Sequence, residues 1–188
     1  MIRLYLVRHG VAADQSPEGD DARPLTAEGR ARFRRAARAF ARLGEDLDLL
    51  FTSPLVRAVQ TAELLSAAVG QDEVGVLAQL RPAVPPEDLF AELGKRAKDG
   101  QGVAVVGHDP QMSAAVARAA GLSAQETMRL DFRKGSIVRI DVKALPKIED
   151  AEPRWWMRPK RRDLVKGLPL ARLKKPARKA PARPPAKG

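Results

Sequence analysis

The chain has 188 residues, which is enough for one globular domain with a substantial core and a short appendage. It contains no cysteine, so disulfide bonds and cysteine-ligated metal sites are excluded. No apolar run approaches the roughly 20 residues of a membrane helix, and the start of the chain lacks signal-peptide features, so we predict a cytoplasmic protein without a transmembrane segment.

The net charge of +11 comes from the C-terminal part of the chain. From Ala151 onward there are 13 Lys and Arg against two Asp and Glu, whereas residues 1–150 carry 21 of each. We predict a domain over residues 1–150 and a basic, proline-rich, partly disordered extension over residues 151–188. Within the extension, the two tryptophans at 155–156 are expected to pack back on the domain.

The first half of the chain alternates apolar runs with helical periodicity. Ile2–Val7 is predicted as a buried strand, and Thr26 as the cap of a helix that reaches about Leu43. A second strand is predicted at Leu47–Thr52. Ser53-Pro54 then indicates a helix start, with Ser53 as N-cap and Pro54 in the first helical position.

The second half continues the alternation and closes with strands. The predicted elements are a weak strand at 74–77, a helix at 86–98, an apolar strand at 103–106, a helix from Asp109-Pro110 to about Ala120, and a pair of strands at 128–132 and 136–142. Strands that alternate with helices predict a three-layer α/β/α sandwich with a mostly parallel central sheet.

The only two histidines follow two of these strands. His9 comes after the first strand, with Arg8 beside it, and His108 comes after the apolar strand at 103–106. Arg57 lies on the first turn of the helix that follows the second strand. Ligands bind beyond the carboxyl ends of strands in such sheets, and Arg and helix N-termini suit phosphate. We therefore predict an anion site in which a neutral imidazole is the nucleophile, without a metal or cofactor.

Four segments resemble the histidine phosphatase superfamily, also called the phosphoglycerate-mutase-like family. They read LYLVRHG at 4–10, RPLTAEG at 23–29, TSPLVRAVQTA at 52–62 and VVGH at 105–108, and they cover roughly residues 1–142. The short domain, the segment DDARPLT at 20–26 and the GHDP turn at 107–110 look most like the small SixA-type branch, which is associated with phosphohistidine phosphatase activity.

The resemblance implies a role for each matching residue. His9 would become phosphorylated, Arg8 and Arg57 would clamp the phosphoryl oxygens, and His108 would donate a hydrogen bond to the same group. Gly10 and Ser53 are further predicted phosphate contacts. The implied activity is metal-independent hydrolysis of a phosphoryl group, with phosphohistidine of a protein as the favoured substrate.

The general acid of the larger family members has no counterpart here. The corresponding region, AQLRP at 78–82, holds no carboxylate, and the proton donor is left unassigned among Asp14, Glu18, Asp20 and Asp21 of the first loop and Glu87 and Asp88 of the following helix. An alkoxide leaving group needs protonation, whereas an imidazole, with a pKa of about 6.5, can leave with little help. The missing acid therefore favours phosphohistidine.

Two other functions fit the same residues. One is a general phosphomonoesterase that acts on small phosphorylated molecules. The other is a phosphate-binding interaction module whose basic tail contacts a polyanion by charge alone, although the tail has no base-reading motif and could equally be a solubilising extension.

Overall fold

The computed structural model describes residues 1–148, 151–159 and 164–166. The remainder of the predicted basic extension, including the segment from 167 to 188, lies outside the described residues. Among the residues that are described, no helix is both long and apolar enough to cross a bilayer.

A seven-stranded sheet forms the centre of the fold. Its strands are β1 (Ile2–Arg8), β2 (Leu49–Thr52), β3 (Gly75–Val76), β4 (Gly102–Gly107), β5 (Ile137–Val142), β6 (Glu152–Met157) and β7 (Leu164–Lys166), in the spatial order β3-β2-β4-β1-β5-β6-β7. The pairs from β3 to β1 are parallel, and those from β1 to β7 are antiparallel. Five strands point the same way, so the sheet is mostly parallel as predicted.

Helices cover both faces of the sheet and complete the predicted three-layer α/β/α sandwich. They are α1 (Ala27–Ala41), α2 (Val56–Val69), α3 (Pro86–Gly94), α4 (Gln111–Ala119) and α5 (Ala124–Thr127), with short 3₁₀ turns at Asp20–Ala22 and Ala78–Leu80. The Thr26 hydroxyl accepts from the Gly29 N–H, as expected for the cap of α1. The third helix ends at Gly94, four residues before the predicted end.

Successive side chains of β1 point to opposite faces of the sheet, so the core is divided into two layers. Leu4 and Leu6 pack with α3 and α4, whereas Tyr5 and Val7 pack with α1 and α2. Strand β6 repeats the pattern, because Trp156 lies in the first layer and Trp155 packs against the second. The tryptophan segment thus packs on the domain, as an added strand. The division of the chain near residue 150 stays a prediction, and β6 begins just after it.

Two predicted local structures are wrong. Helix α2 begins at Val56 with Leu55 in the cap position, so Ser53-Pro54 precedes the helix and does not open it. The segment 128–132 is not a strand: it follows the short helix α5, and the Met128 side chain is 83% exposed. The Ser53 hydroxyl is instead taken up by a tertiary contact, described below.

Candidate active site

The carboxyl ends of β1, β2 and β4 bring the predicted site residues to one edge of the sheet. The His9 N–H donates to the Gly107 carbonyl at 3.1 Å, and the Ser53 N–H donates to the Val106 carbonyl at 3.0 Å. These bonds fix the loop starts relative to β4, from which His108 follows. The centroids of the two imidazole rings lie 5.0 Å apart, with the ring planes inclined at 52°.

The geometry of His9 determines where its proton lies. Its side chain is buried, and Nδ1 lies 2.7 Å from the Gly10 carbonyl oxygen. Because a carbonyl can only accept, Nδ1 carries the hydrogen. Burial is the main cause that lowers the pKa of His9 to about 3; the hydrogen bond to Gly10 opposes it in part, and the charges of His108, Arg57 and Arg8 contribute in the same direction as burial. The ring is therefore neutral at pH 7, and Nε2 holds a lone pair.

Gly10 is fixed on its other side as well. Its N–H donates to the Thr61 hydroxyl oxygen at 3.0 Å, and that hydroxyl donates in turn to the Arg57 carbonyl at 2.6 Å. Thr61 is fully buried in α2. The backbone that orients His9 is thus tied to the helix that carries Arg57. A direct contact between Gly10 and phosphate stays a prediction.

His108 is held by Ser53. The two side chains are almost completely buried, and His108 Nε2 lies 2.8 Å from Ser53 Oγ. Burial, with a smaller contribution from the positive charge of Arg57, lowers the pKa of His108 to about 4. His108 Nδ1 is buried and has no hydrogen-bond partner within the described part of the chain.

Each arginine is held at its far end. Arg8 Nη1 lies 2.7 Å from the Phe132 carbonyl oxygen and 2.6 Å from Asp109 Oδ2. Arg57 Nη1 donates to the Asp20 carbonyl at 2.7 Å, and its Nη2 donates to Asp20 Oδ2 at 2.9 Å. The Nε atoms of both arginines are buried, without a partner among the described residues. Buried donors without a partner are uncommon in proteins, and a bound anion at this edge of the sheet would satisfy these two.

Four of the six carboxylates considered as proton donors lie in ion pairs or at a helix start. Asp20 pairs with Arg57 and with Arg23, and Asp21 pairs with Arg81 at 2.8 Å. The hydrogen bond from Arg57 lowers the pKa of Asp20, so this carboxyl is ionised at pH 7. Glu87 and Asp88 occupy the first turn of α3, where they favour the helix N-terminus. Among the described residues no three His, Asp or Glu side chains gather as candidate metal ligands.

Sequence reasoning missed several supporting groups. Asp109 stands next to His108 in the sequence, but its bond to Arg8 could not be read from that position. The Phe132 carbonyl is 124 positions from Arg8, and Thr61 lies 51 positions from Gly10. The sequence offered no signal for these long-range contacts, although Asp20 was already considered as a proton donor.

Comparison with known proteins assigns the family. Residues 4–82 match the model of the histidine phosphatase superfamily, branch 1. A protein of Picosynechococcus sp. (strain ATCC 27264 / PCC 7002 / PR-6) is 36% identical over 118 residues, which span 59% of this chain and 68% of the relative. This chain belongs to the histidine phosphatase superfamily. The resemblance seen in the sequence is therefore confirmed. The protein is an enzyme of the phosphatase class, as predicted.

Solved structures share the fold of this histidine phosphatase. The protein histidine phosphatase SixA, determined with tungstate, superimposes with a TM-score of 0.73 at 24% identity, covering 84% of this chain and 97% of SixA. An alpha-ribazole phosphatase from Shigella flexneri gives a TM-score of 0.59 at 21% identity, covering 79% and 96%. The predicted SixA-like fold is thus confirmed.

Proposed function

We propose that this histidine phosphatase transfers the phosphoryl group of a protein phosphohistidine to His9 and then to water. The observation that carries the proposal is a neutral, buried His9 whose Nδ1–H is held by Gly10, beside three buried nitrogens, on Arg8, Arg57 and His108, that have no partner among the described residues. A neutral imidazole needs no separate base to act as a nucleophile. Phosphoryl oxygens are suitable acceptors for the three donors.

In the first step, the lone pair of His9 Nε2 forms a bond to phosphorus while the bond to the leaving group breaks. The leaving group keeps the electron pair of that bond. We assign the Nε groups of Arg8 and Arg57 and the Nδ1–H of His108 to the phosphoryl oxygens, where charge accumulates in the transition state. Donors that are preorganised in this way typically contribute about 10²–10³ each in rate.

In the second step, water attacks the phosphorus of phosphorylated His9. The oxygen–phosphorus bond forms as the nitrogen–phosphorus bond breaks, and the electron pair of that bond returns to Nε2. The protons of the attacking water leave with inorganic phosphate or pass to solvent. His9 returns to its starting state, because the Gly10 carbonyl holds Nδ1–H throughout.

Ser53 acts through His108 in this scheme. If the Ser53 hydroxyl donates to His108 Nε2, the single proton of the neutral ring lies on Nδ1, the atom that has no partner. The hydroxyl therefore selects the tautomer that can donate to phosphate. The direct contact of Ser53 with phosphate that the sequence suggested stays a prediction beside this role.

The surroundings of the site favour an imidazole leaving group. Of the carboxylates that contact its arginines, Asp20 is ionised and Asp109 is ion-paired with Arg8. Neither is placed as a free proton donor, and an alkoxide leaving group would need one. A phosphohistidine whose ring is protonated on its other nitrogen releases a neutral imidazole, and because the conjugate acid of that imidazole has a pKa of about 6.5, it leaves with little assistance. The partner would then be a phosphorylated protein, and the cytoplasmic location predicted from the sequence belongs to the same proposal.

The test compares three substrates with three forms of the protein. A phosphohistidine peptide, a phosphoserine peptide and p-nitrophenyl phosphate are incubated with the wild type, His9→Ala and Ser66→Ala. Ser66 bonds the Gln71 carbonyl at the far end of α2, so its variant is a matched control for a surface substitution. We expect rapid release of phosphate from phosphohistidine by the wild type and the control, and none by His9→Ala.

The outcomes separate the mechanism from the substrate. Turnover of p-nitrophenyl phosphate or phosphoserine alone would retain the His9 intermediate but would replace the protein substrate by small phosphate esters. Equal turnover by His9→Ala would refute the nucleophile. A rapid-quench experiment with ³²P-labelled substrate provides a second measurement, because a phosphorylated His9 is stable in alkali and labile in acid, unlike a phosphoserine ester.

A further inference from the structure

Asp20 contacts Arg57 at two points and Arg23 at a third in the part of the chain that the structure describes. Its backbone carbonyl accepts from Arg57 Nη1 at 2.7 Å, its Oδ2 accepts from Nη2 at 2.9 Å, and its Oδ1 lies 2.7 Å from Nε of Arg23. It lies in the 3₁₀ turn that follows Gly19, whose φ of 94° is readily adopted only by glycine. The conformation of the first loop thus places Asp20 beside the terminal nitrogens of the Arg57 guanidinium.

These contacts determine which atom of Arg57 is left for a substrate. The arginine is 4% exposed, and both of its terminal nitrogens are engaged, while Nε is buried without a partner in the described residues. A guanidinium is planar and rigid, so fixing its far edge also fixes the direction of its Nε–H. Losing the Asp20 carboxylate would free one terminal nitrogen and allow the plane to rotate.

The other site residues are held in the same manner. Asp109 engages Arg8 from its far end, Ser53 engages His108 Nε2, and the Gly10 carbonyl engages His9 Nδ1. In each case one nitrogen is tied to the protein, and Arg8 and His108 each have another buried nitrogen with no partner among the described residues, as Arg57 does. Asp20 therefore belongs to a consistent arrangement, which an incidental surface ion pair would not explain.

We propose that Asp20 is a positioning residue, which orients Arg57 so that its Nε–H meets the phosphoryl group in the transition state. This role rests on the proposed function of His9 and Arg57. It differs from proton donation, because Asp20 serves as an anion in every step. It also differs from a contribution to stability, because the carboxylate side chain is 64% exposed, and exposed ion pairs contribute little to folding.

The experiment uses Asp20→Asn, Asp20→Glu and the matched control Asp21→Asn. Asp21 lies in the same 3₁₀ turn and pairs with the exposed Arg81, so its variant removes the same charge from the same loop. For p-nitrophenyl phosphate we expect kcat of Asp20→Asn to fall about 30- to 100-fold with little change in KM, since small displacements of a positioning group cost about that much. Asp20→Glu should recover part of kcat, and Asp21→Asn should match the wild type.

A binding measurement tests the same role without turnover. Orthovanadate adopts the five-coordinate geometry of the transferring phosphoryl, whereas inorganic phosphate resembles the product. Calorimetry should show a weaker preference for vanadate over phosphate in Asp20→Asn than in the wild type or Asp21→Asn. Melting temperatures close to the wild type in all three variants would exclude unfolding as the cause.

Several results would overturn the inference. A kcat of Asp20→Asn within twofold of the wild type would do so, as would an equal loss in Asp21→Asn. Tighter phosphate binding with undiminished kcat would identify Asp20 as a competitor of substrate and not as a positioning residue. If His9→Ala retained activity, the proposed function itself would fail, whereas a dead His9→Ala beside an unaffected Asp20→Asn would refute the positioning role alone.

Discussion

The protonation state of the two histidines can be tested directly by titration. The chain contains only these two imidazoles, so a histidine-labelled sample gives two sets of side-chain NMR signals. An imidazole with the ordinary pKa of about 6.5 is about 97% protonated at pH 5. With pKa values of about 3 for His9 and about 4 for His108, the protonated fractions at pH 5 fall to about 1% and about 9%.

The structure gives the physical reason for this large difference. His9 and His108 are 6% and 2% exposed, and desolvation of the charged ring is the largest cause of both shifts. The neighbouring charges of Arg8 and Arg57 act in the same direction. We expect both sets of signals to stay at their neutral positions from pH 8 to pH 5, and the nitrogen shifts of His9 to report the Nδ1–H tautomer.

The assay is a series of long-range proton–nitrogen correlation spectra between pH 4.5 and pH 8. The signals are assigned with His108→Ala, and near-ultraviolet circular dichroism at each pH shows that the fold persists. A midpoint near pH 6.5 for His9 in the folded protein would refute the reasoning, because the nucleophile would then be half protonated near neutral pH. A His9 signal with the proton on Nε2 would contradict the proposed direction of attack.

Three further predictions follow from individual contacts. Gly29→Ala should lower the free energy of unfolding by about 1–3 kcal/mol in urea titrations, because its Cβ would lie 2.0 Å from the Val11 carbonyl oxygen; unchanged stability would contradict this. Ser53→Ala should lower kcat about tenfold or more and cost about 1–3 kcal/mol of stability by leaving the buried His108 Nε2 without a partner, whereas full activity would argue against the tautomer assignment. Because the unfolded chain binds more protons than the folded histidines below about pH 6.5, stability should fall as pH drops toward 4, by up to about 1.4 kcal/mol per pH unit for each ring; equal melting temperatures at pH 7 and pH 5 would rule this out.

The position of the site could be predicted because it depends on a rule about sheets. His9 and His108 each follow a buried strand, and parallel strands end at the same edge, so their proximity required no knowledge of the packing. The apolar runs also predicted β1 and β4 within a residue or two. Short-range patterns and the order of elements thus sufficed for the fold and for the proximity of His9 and His108, whose roles stay a prediction.

Local patterns failed where a tertiary contact competed for the same atom. Ser53-Pro54 has the composition of a helix start, but the Ser53 hydroxyl bonds His108, 55 positions away, and α2 begins three residues after Ser53. At 123–126 a helix signal was overlooked. Ser123 and Glu126 form a capping box that is visible in the sequence and that begins the short helix α5. This helix ends directly before the segment 128–132, which was predicted as a strand from its apolar content alone.

The fixed side chains of Arg8, Arg57 and His108 explain how a site of this kind can be preorganised before its substrate binds. Leaving a buried donor without a partner costs about 1–3 kcal/mol, and His108, Arg8 and Arg57 each have such a nitrogen among the described residues. Folding must offset these costs, and the anchors at Ser53, Asp109 and Asp20 keep the donors from turning toward other acceptors. In the proposed mechanism an incoming phosphoryl group would supply the acceptors and recover that energy as binding, with no side-chain search at the moment of reaction. The same reasoning accounts for why each anchor lies far in sequence from the side chain that it holds. Each anchor contacts its partner on the side away from the unpartnered nitrogen. The first loop, α2 and the loops after β2 and β4 meet at one sheet edge, and this meeting brings the anchors to that side.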